Sequence, residues 1–237
     1  MTHVIARNGV TKQSINKKDI IMKNRHSIIL ISTLLITLLS VSCASKDKPP
    51  RPRDETYIAD LNSFSVETFH LYAAFGLNQP KIQDFTIYFA PRNNYVYVYG
   101  RIGIDVIQAG FSYKERQKLI AAKEKYINDY EEKTLPKDKP TKKNAYSTGD
   151  VSFKWGAAGL THETDTIYMT NVQYILDGKP YFRILFEQAK ENDGSGNSSP
   201  RVSIYISPSQ WEKIVEACNQ DHLIQLTDDI LFEAEEF

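Results

Sequence analysis

Cysteine is scarce in this chain of 237 residues, which holds only Cys43 and Cys218. A disulfide framework needs more, so the fold has to be held by a packed core. No C-x-x-C, H-E-x-x-H or paired Cys/His spacing occurs, which leaves no metal centre, redox dithiol or cofactor to expect. An excess of positive charge is also lacking. Six of the 29 Lys and Arg and one of the 29 Asp and Glu precede Cys43, so the remainder carries 23 basic against 28 acidic residues. That balance argues against a nucleic-acid partner, which needs clustered cations. Long hydrophobic runs are missing as well. The longest, Ile28 to Val41, is 14 residues, about 21 Å of helix against a hydrocarbon core of about 30 Å, too short to span comfortably.

What that run does have is the right surroundings for export. Met22-Lys23-Asn24-Arg25 is a positive n-region, Ile28 to Leu39 is an apolar h-region, and Ser40-Val41-Ser42 places small residues before Cys43. With its terminal cysteine the segment resembles the signal of bacterial lipoproteins. The resemblance covers this segment alone and implies lipid attachment at Cys43, with palmitate among the acyl groups. Val41 and Ser42 fit the lipobox pattern, whereas Ser40 stands where a Leu is usual and Leu39 lies one place further out. Ser40-Val41-Ser42 would equally serve an ordinary signal peptidase, leaving Cys43 a bare thiol. Since Ala44 and not Asp follows Cys43, the resemblance points to the outer membrane.

These features divide the chain into an N-terminal extension (1–21), a signal (22–42), a tether (43–56), a globular part (57–226) and an acidic tail (227–237). The tether carries three prolines among alternating charges and cannot pack. Within the globular part, Phe64, Val66, Phe69, Tyr72, Ala73 and Phe75 fit a helical face over 63–75 that Gly76 would end. Phe85 to Phe89 and Tyr95 to Tyr99 flank the turn Pro91-Arg92-Asn93-Asn94 and read as a hairpin, continuing past Gly100 as a bulge or bend. Ser112-Tyr113-Lys114-Glu115 has the form of a capping box opening a helix through Leu119, Ile120, Tyr126, Ile127 and Tyr130. The basic, proline-containing stretch 134–147 is a loop, or a sub-boundary if two halves fold apart. Beyond it come β-rich runs at 151–155, 166–169, 172–176, 181–186 and 202–206, with Asp177-Gly178 as a hairpin turn. Ser207-Pro208-Ser209-Gln210 caps a last helix. Strand, strand and capped helix thus occur twice, the cap serines Ser112 and Ser207 lying 95 residues apart. The expected class is α+β, with antiparallel sheet and helices packed on one face in two β-β-α units.

No stretch carries a recognisable catalytic pattern. Thr161-His162-Glu163-Thr164-Asp165 reads as a solvated polar loop, because neither His70 nor His222 sits at ligand spacing from it. Asn192 to Asn197 lacks the alternating acidic positions and closing Glu of a calcium loop, and Ser195 lacks the strand and helix of a nucleophile elbow. Trp211, Ile214, Val215 and Cys218 fall on one helical face, so the thiol reads as buried structure. Tyr95, Tyr97 and Tyr99 share one face of a strand about 7 Å apart and form the one candidate binding surface, a platform for a sugar ring or peptide.

The function expected from sequence is a non-catalytic lipoprotein of the bacterial cell envelope that is anchored in the membrane and binds a protein or glycan partner. The alternative is an envelope hydrolase with an unrecognised site. A small-molecule carrier would instead need an enclosed apolar pocket. Residues 1–21 hold Arg7, Lys12, Lys17 and Lys18 without an apolar run, so Met22 is the expected start. A chain beginning at Met22 should be exported and matured like the full one, as checked by fractionation and N-terminal sequencing. Loss of export would show that the first 21 residues are a working element.

Overall fold

Alternation of apolar and polar residues produces eight strands, and their pairing closes them into one ring. The computed structural model describes residues 51–176 and 178–235. Its strands are β1 (Phe64–Phe75), β2 (Lys81–Ala90), β3 (Tyr95–Ile102), β4 (Asp105–Phe111), β5 (Ser147–Ala157), β6 (His162–Ile175), β7 (Lys179–Phe186) and β8 (Val202–Ile206). Each pairs antiparallel with the next, and β8 pairs with β1 from Tyr72 opposite Tyr205 to Phe75 opposite Val202. The result is a closed barrel. Helices α1 (Tyr113–Glu131), α2 (Pro208–Cys218) and α3 (Gln220–Glu235) complete it.

The expected α+β arrangement, a sheet with helices on one face in two β-β-α units, is overturned. The sheet has no second face to cover, because it curls on itself. The two helices that follow Ser112 and Ser207 begin where β4 and β8 end, so each closes a run of four strands. The helix expected over 63–75 is the strand β1. Its register shifts between Ser65 and Glu67, which makes Val66 a bulge residue. Inward positions therefore change phase there, from Phe64 and Val66 to Phe69, Leu71 and Ala73, and the three-residue step from Val66 to Phe69 imitates a helix. Gly100 is neither bulge nor bend but an ordinary position of β3 with the Phe85 ring over it. The bend comes at Gly103, φ +69°.

The lumen is lined largely by apolar side chains, with Thr164 and Thr166 of β6 buried among them. Phe111, Phe153, Tyr168 and Phe186 meet there with ring centroids 5.5–6.1 Å apart, and truncating one such ring to Ala typically costs about 3–5 kcal/mol. Thr68, His70, Asp84, Asp150, Glu163 and Asp165 are exposed. Transmembrane barrels place apolar groups outward and polar groups inward, so this one has the pattern of a barrel in water. Among the described residues no helix is long and apolar enough to cross a membrane.

Three ties hold the helices and the entering chain at one mouth. Ser112 Oγ accepts from Glu115 N–H (3.3 Å), and the Glu115 carboxylate takes Tyr168 O–H (2.9 Å) and Lys118 Nζ (2.7 Å) rather than closing the capping box. Gln210 accepts from Ser207 N–H (3.1 Å) and donates to His70 O (2.9 Å), fixing α2 to β1. Ile58, buried, donates to Pro91 O (2.8 Å), and Arg53 pairs with Asp228 of α3. The segment 134–147 links α1 to β5 within the same barrel, and α3 runs through 227–235 with Thr227 buried.

Glu115 lies against Gly149 of β5. A Cβ there would stand 2.7 Å from Glu115 Cδ and 2.7 Å from Tyr168 Cε1. Gly149→Ala should therefore lower stability by about 1–3 kcal/mol through overpacking, read as a fall in Tm of several degrees by circular dichroism. An unchanged Tm would mean that Glu115 does not pin α1 to the barrel.

Candidate functional site

The lumen is packed by side chains, with aromatic rings from β4 to β7 meeting on one side. Between the barrel wall and the α1–α2 pair lies a cavity of about 60 Å³, several times the roughly 10–15 Å³ one water needs. Leu71, Ile87, Val98 and Ile204 form part of the barrel side, and Leu119, Ile120, Val215 and Cys218 part of the helical side. The surface it presents is apolar. Val98, Leu119, Ile120, Val215 and Cys218 are only half-buried, so this is the side on which the cavity approaches solvent.

Arg116 stands in the same lining, 2% exposed. Its Nη2 donates to Asn94 Oδ1 (2.6 Å), Asn94 O (3.3 Å) and Gln220 Oε1 (2.9 Å). Nε and Nη1 have no partner. Phe89 and Tyr113 lie 5.7 and 5.8 Å from the guanidinium carbon, which favours the cation without occupying its N–H groups. Among the described residues no carboxylate pairs with it. Burial lowers Arg116 to about 10, still charged at neutral pH. Burial pushes the Cys218 thiol the other way, to about 11, against a smaller downward pull from Arg116. The thiol is thus neutral and supplies no counter-charge. Trp211 Nε1, also in the lining and buried, is unpaired.

Asn94 positions the arginine. It turns the β2–β3 connection with φ 52°, a left-handed value that Asn tolerates. Its Nδ2 donates to Glu55 O (3.0 Å) while Oδ1 faces Arg116. Neither residue stood out in the sequence. The signal for Arg116 was its place three and four residues before Leu119 and Ile120, a cation on the apolar stripe of the helix.

At the opposite mouth the stretch 161–165, expected as a solvated loop, is the start of β6 with Thr164 buried, and it meets the β7–β8 connection. His162 Nδ1 lies 3.1 Å from both Glu191 carboxylate oxygens, and Ser195 Oγ (2.8 Å) and Asn197 Nδ2 (3.2 Å) donate to Oε2. Burial pushes the Glu191 carboxyl up, but these three bonds outweigh it and hold it below the usual carboxylate range. The carboxylate sits between Ser195 and His162, so the imidazole is not placed to take the serine proton. His162 stacks on Trp155 (5.4 Å, 25°), and Glu163 pairs outward with Lys154 (3.1 Å). Among the described residues no His, Cys, Asp or Glu grouping could hold a metal.

Tyr95, Tyr97 and Tyr99 are half-buried on the outer face of β3. Tyr95 and Tyr97 rings lie 5.9 Å apart, Tyr99 meets Tyr88 edge-on at 6.2 Å, and Tyr97 leans over Gly110. Val96 is buried and Val98 reaches the cavity. Cys43 lies outside the described residues.

A protein of Treponema pallidum (strain Nichols), described as "Uncharacterized protein", is 27% identical over 214 residues, covering 87% of this chain and 73% of its own. No solved structure matches significantly. A family model described as "Uncharacterised Treponema protein" matches residues 53–225, a span holding all eight strands, α1, α2 and the whole cavity lining. The chain belongs to that Treponema family.

Proposed function

We propose that the chain is a non-catalytic, lipid-anchored protein of the bacterial cell envelope whose barrel holds a small apolar ligand beneath α1 and α2. The cavity carries this reading. Eight strands enclose a lumen that side chains can just fill, or that can keep room for one small ligand, and here the filling leaves one cavity. The volume is below the roughly 300–1,000 Å³ of drug-sized sites. The ligand is therefore slender, and its way in runs along the half-buried wall at Leu119, Ile120 and Val215. The sequence before Cys43 supports the anchor, and Ala44 supports the outer membrane.

The tyrosines of β3 support a second reading, in which this outer face meets a protein or glycan partner. The hydrolase alternative has its best residues in His162, Glu191 and Ser195, but their order, with the carboxylate in the middle, favours a braced loop over a nucleophile.

Octanol titrated into the mature protein should bind one-to-one with a negative heat-capacity change, the mark of apolar burial. Val98→Phe, which adds a ring to the wall, should weaken that binding at least tenfold. Absence of saturable binding by the wild type would refute the ligand reading. The anchor has its own check, because cells fed a clickable fatty acid should label the wild-type protein and not Cys43→Ala. An unlabelled wild type would refute lipidation.

A further inference from the structure

We infer that the ligand is an alkyl carboxylate, its tail in the cavity and its anionic oxygen on Arg116. This rests on the reading of the cavity as a ligand site and adds the chemistry of the head group.

Four buried side-chain polar atoms among the described residues lack a partner, and three of them, Arg116 Nε, Arg116 Nη1 and Trp211 Nε1, belong to residues of this lining. All three are donors. Unpaired donors match a group that only accepts, and a buried cation without a counter-charge matches an anion, whose head would have to part the apolar surface to meet them. The structural work of Arg116, tying the β2–β3 turn to the start of α3, is done by Nη2 alone through Asn94 and Gln220. The rest of the guanidinium has no role in holding the fold.

The lining restricts what else the ligand can be. The cavity surface itself is wholly apolar, and the unpaired N–H groups of Arg116 and Trp211, although they belong to lining residues, lie shielded behind it. A sugar or a peptide would bring several polar groups there without partners, at a cost no contact offsets. One anionic head on a hydrocarbon chain has the polarity the site has. Leu119 and Ile120 follow Arg116 on the same face of α1, so a chain held by its head at Arg116 runs along that face toward Val98 and Ile204.

The test compares octanoate, octanol and octylamine, equal in length and different in charge, by calorimetry on the mature wild-type protein. Octanoate should bind at least tenfold tighter than octanol, about 1.4 kcal/mol, and octylamine should bind more weakly than either. Arg116→Met, which keeps an apolar side chain of similar length, should remove the preference, and Arg116→Lys should keep part of it. The wild-type comparison stands by itself if either variant fails to fold. Equal affinity for octanoate and octanol would overturn the carboxylate inference and leave the ligand reading intact. Failure of all three to bind would overturn both.

Discussion

The pairing of β1 with β8 joins segments from opposite ends of the domain, Tyr72 to Phe75 against Val202 to Tyr205, and leaves every strand with two neighbours. A sheet without edges presents no unpaired N–H or C=O to another chain, and it has an inside. Everything else about the molecule follows from that inside. The alternating residues of each strand divide into lumen and solvent, and helices can cover only the two mouths. The bulge at Val66 belongs to the same constraint, since a strand that pairs with β2 along its length and with β8 over its second half has to bend.

The lumen is packed unevenly, and the uneven packing makes the site. Rings of Phe111, Phe153, Tyr168 and Phe186 interlock at ordinary aromatic distances on one side. On the other, residues of β1, β2, β3 and β8, Phe69 and Phe85 among them, leave a gap before the helices. A small void there would by itself be a modest packing loss, about 24 cal/mol for each Å³. An uncompensated charge beside it is of another order, because taking a cation out of water costs several kcal/mol unless a partner meets it. Asn94, Gln220 and two aromatic rings offset part of that cost at Arg116. The unpaired N–H groups of Arg116 are what remains, and no group among the described residues meets them.

Much of the local structure was legible in the sequence. Period-two alternation marked β2, β3 and β7, the Asp177-Gly178 signal pointed to the antiparallel pairing of β6 with β7, and the serine caps marked the starts of α1 and α2. Closure was not legible, because nothing in Tyr72 or Tyr205 names its partner across the chain. Val66 hid β1 by converting a strand period into a helical spacing. The cavity left no mark, since a wall residue and a filling residue are both simply apolar. Arg116 was visible only as a cation on an apolar stripe, a pattern that usually ends in a side chain reaching out to water. Glu191, which joins His162 to Ser195, lies in the 190–200 loop but just outside the 192–197 stretch weighed there as a calcium loop.

Four strands return the chain to the end from which it set out, so a helix that follows β4 and a helix that follows β8 must arrive at the same mouth. This is why Arg116 of α1 and Trp211 of α2 line one cavity although 95 residues separate them. Ser112 and Ser207, the same distance apart, start the two helices. Each half contributes one donor-bearing residue and part of the apolar wall, and neither encloses the space without the other. Contacts of the segment before β1, Ile58 on Pro91 and Arg53 on Asp228, fall at this mouth too. The β2–β3 turn that holds Ile58 through Pro91 also holds Arg116 through Asn94. The entering segment and the guanidinium thus share the β2–β3 turn as a support.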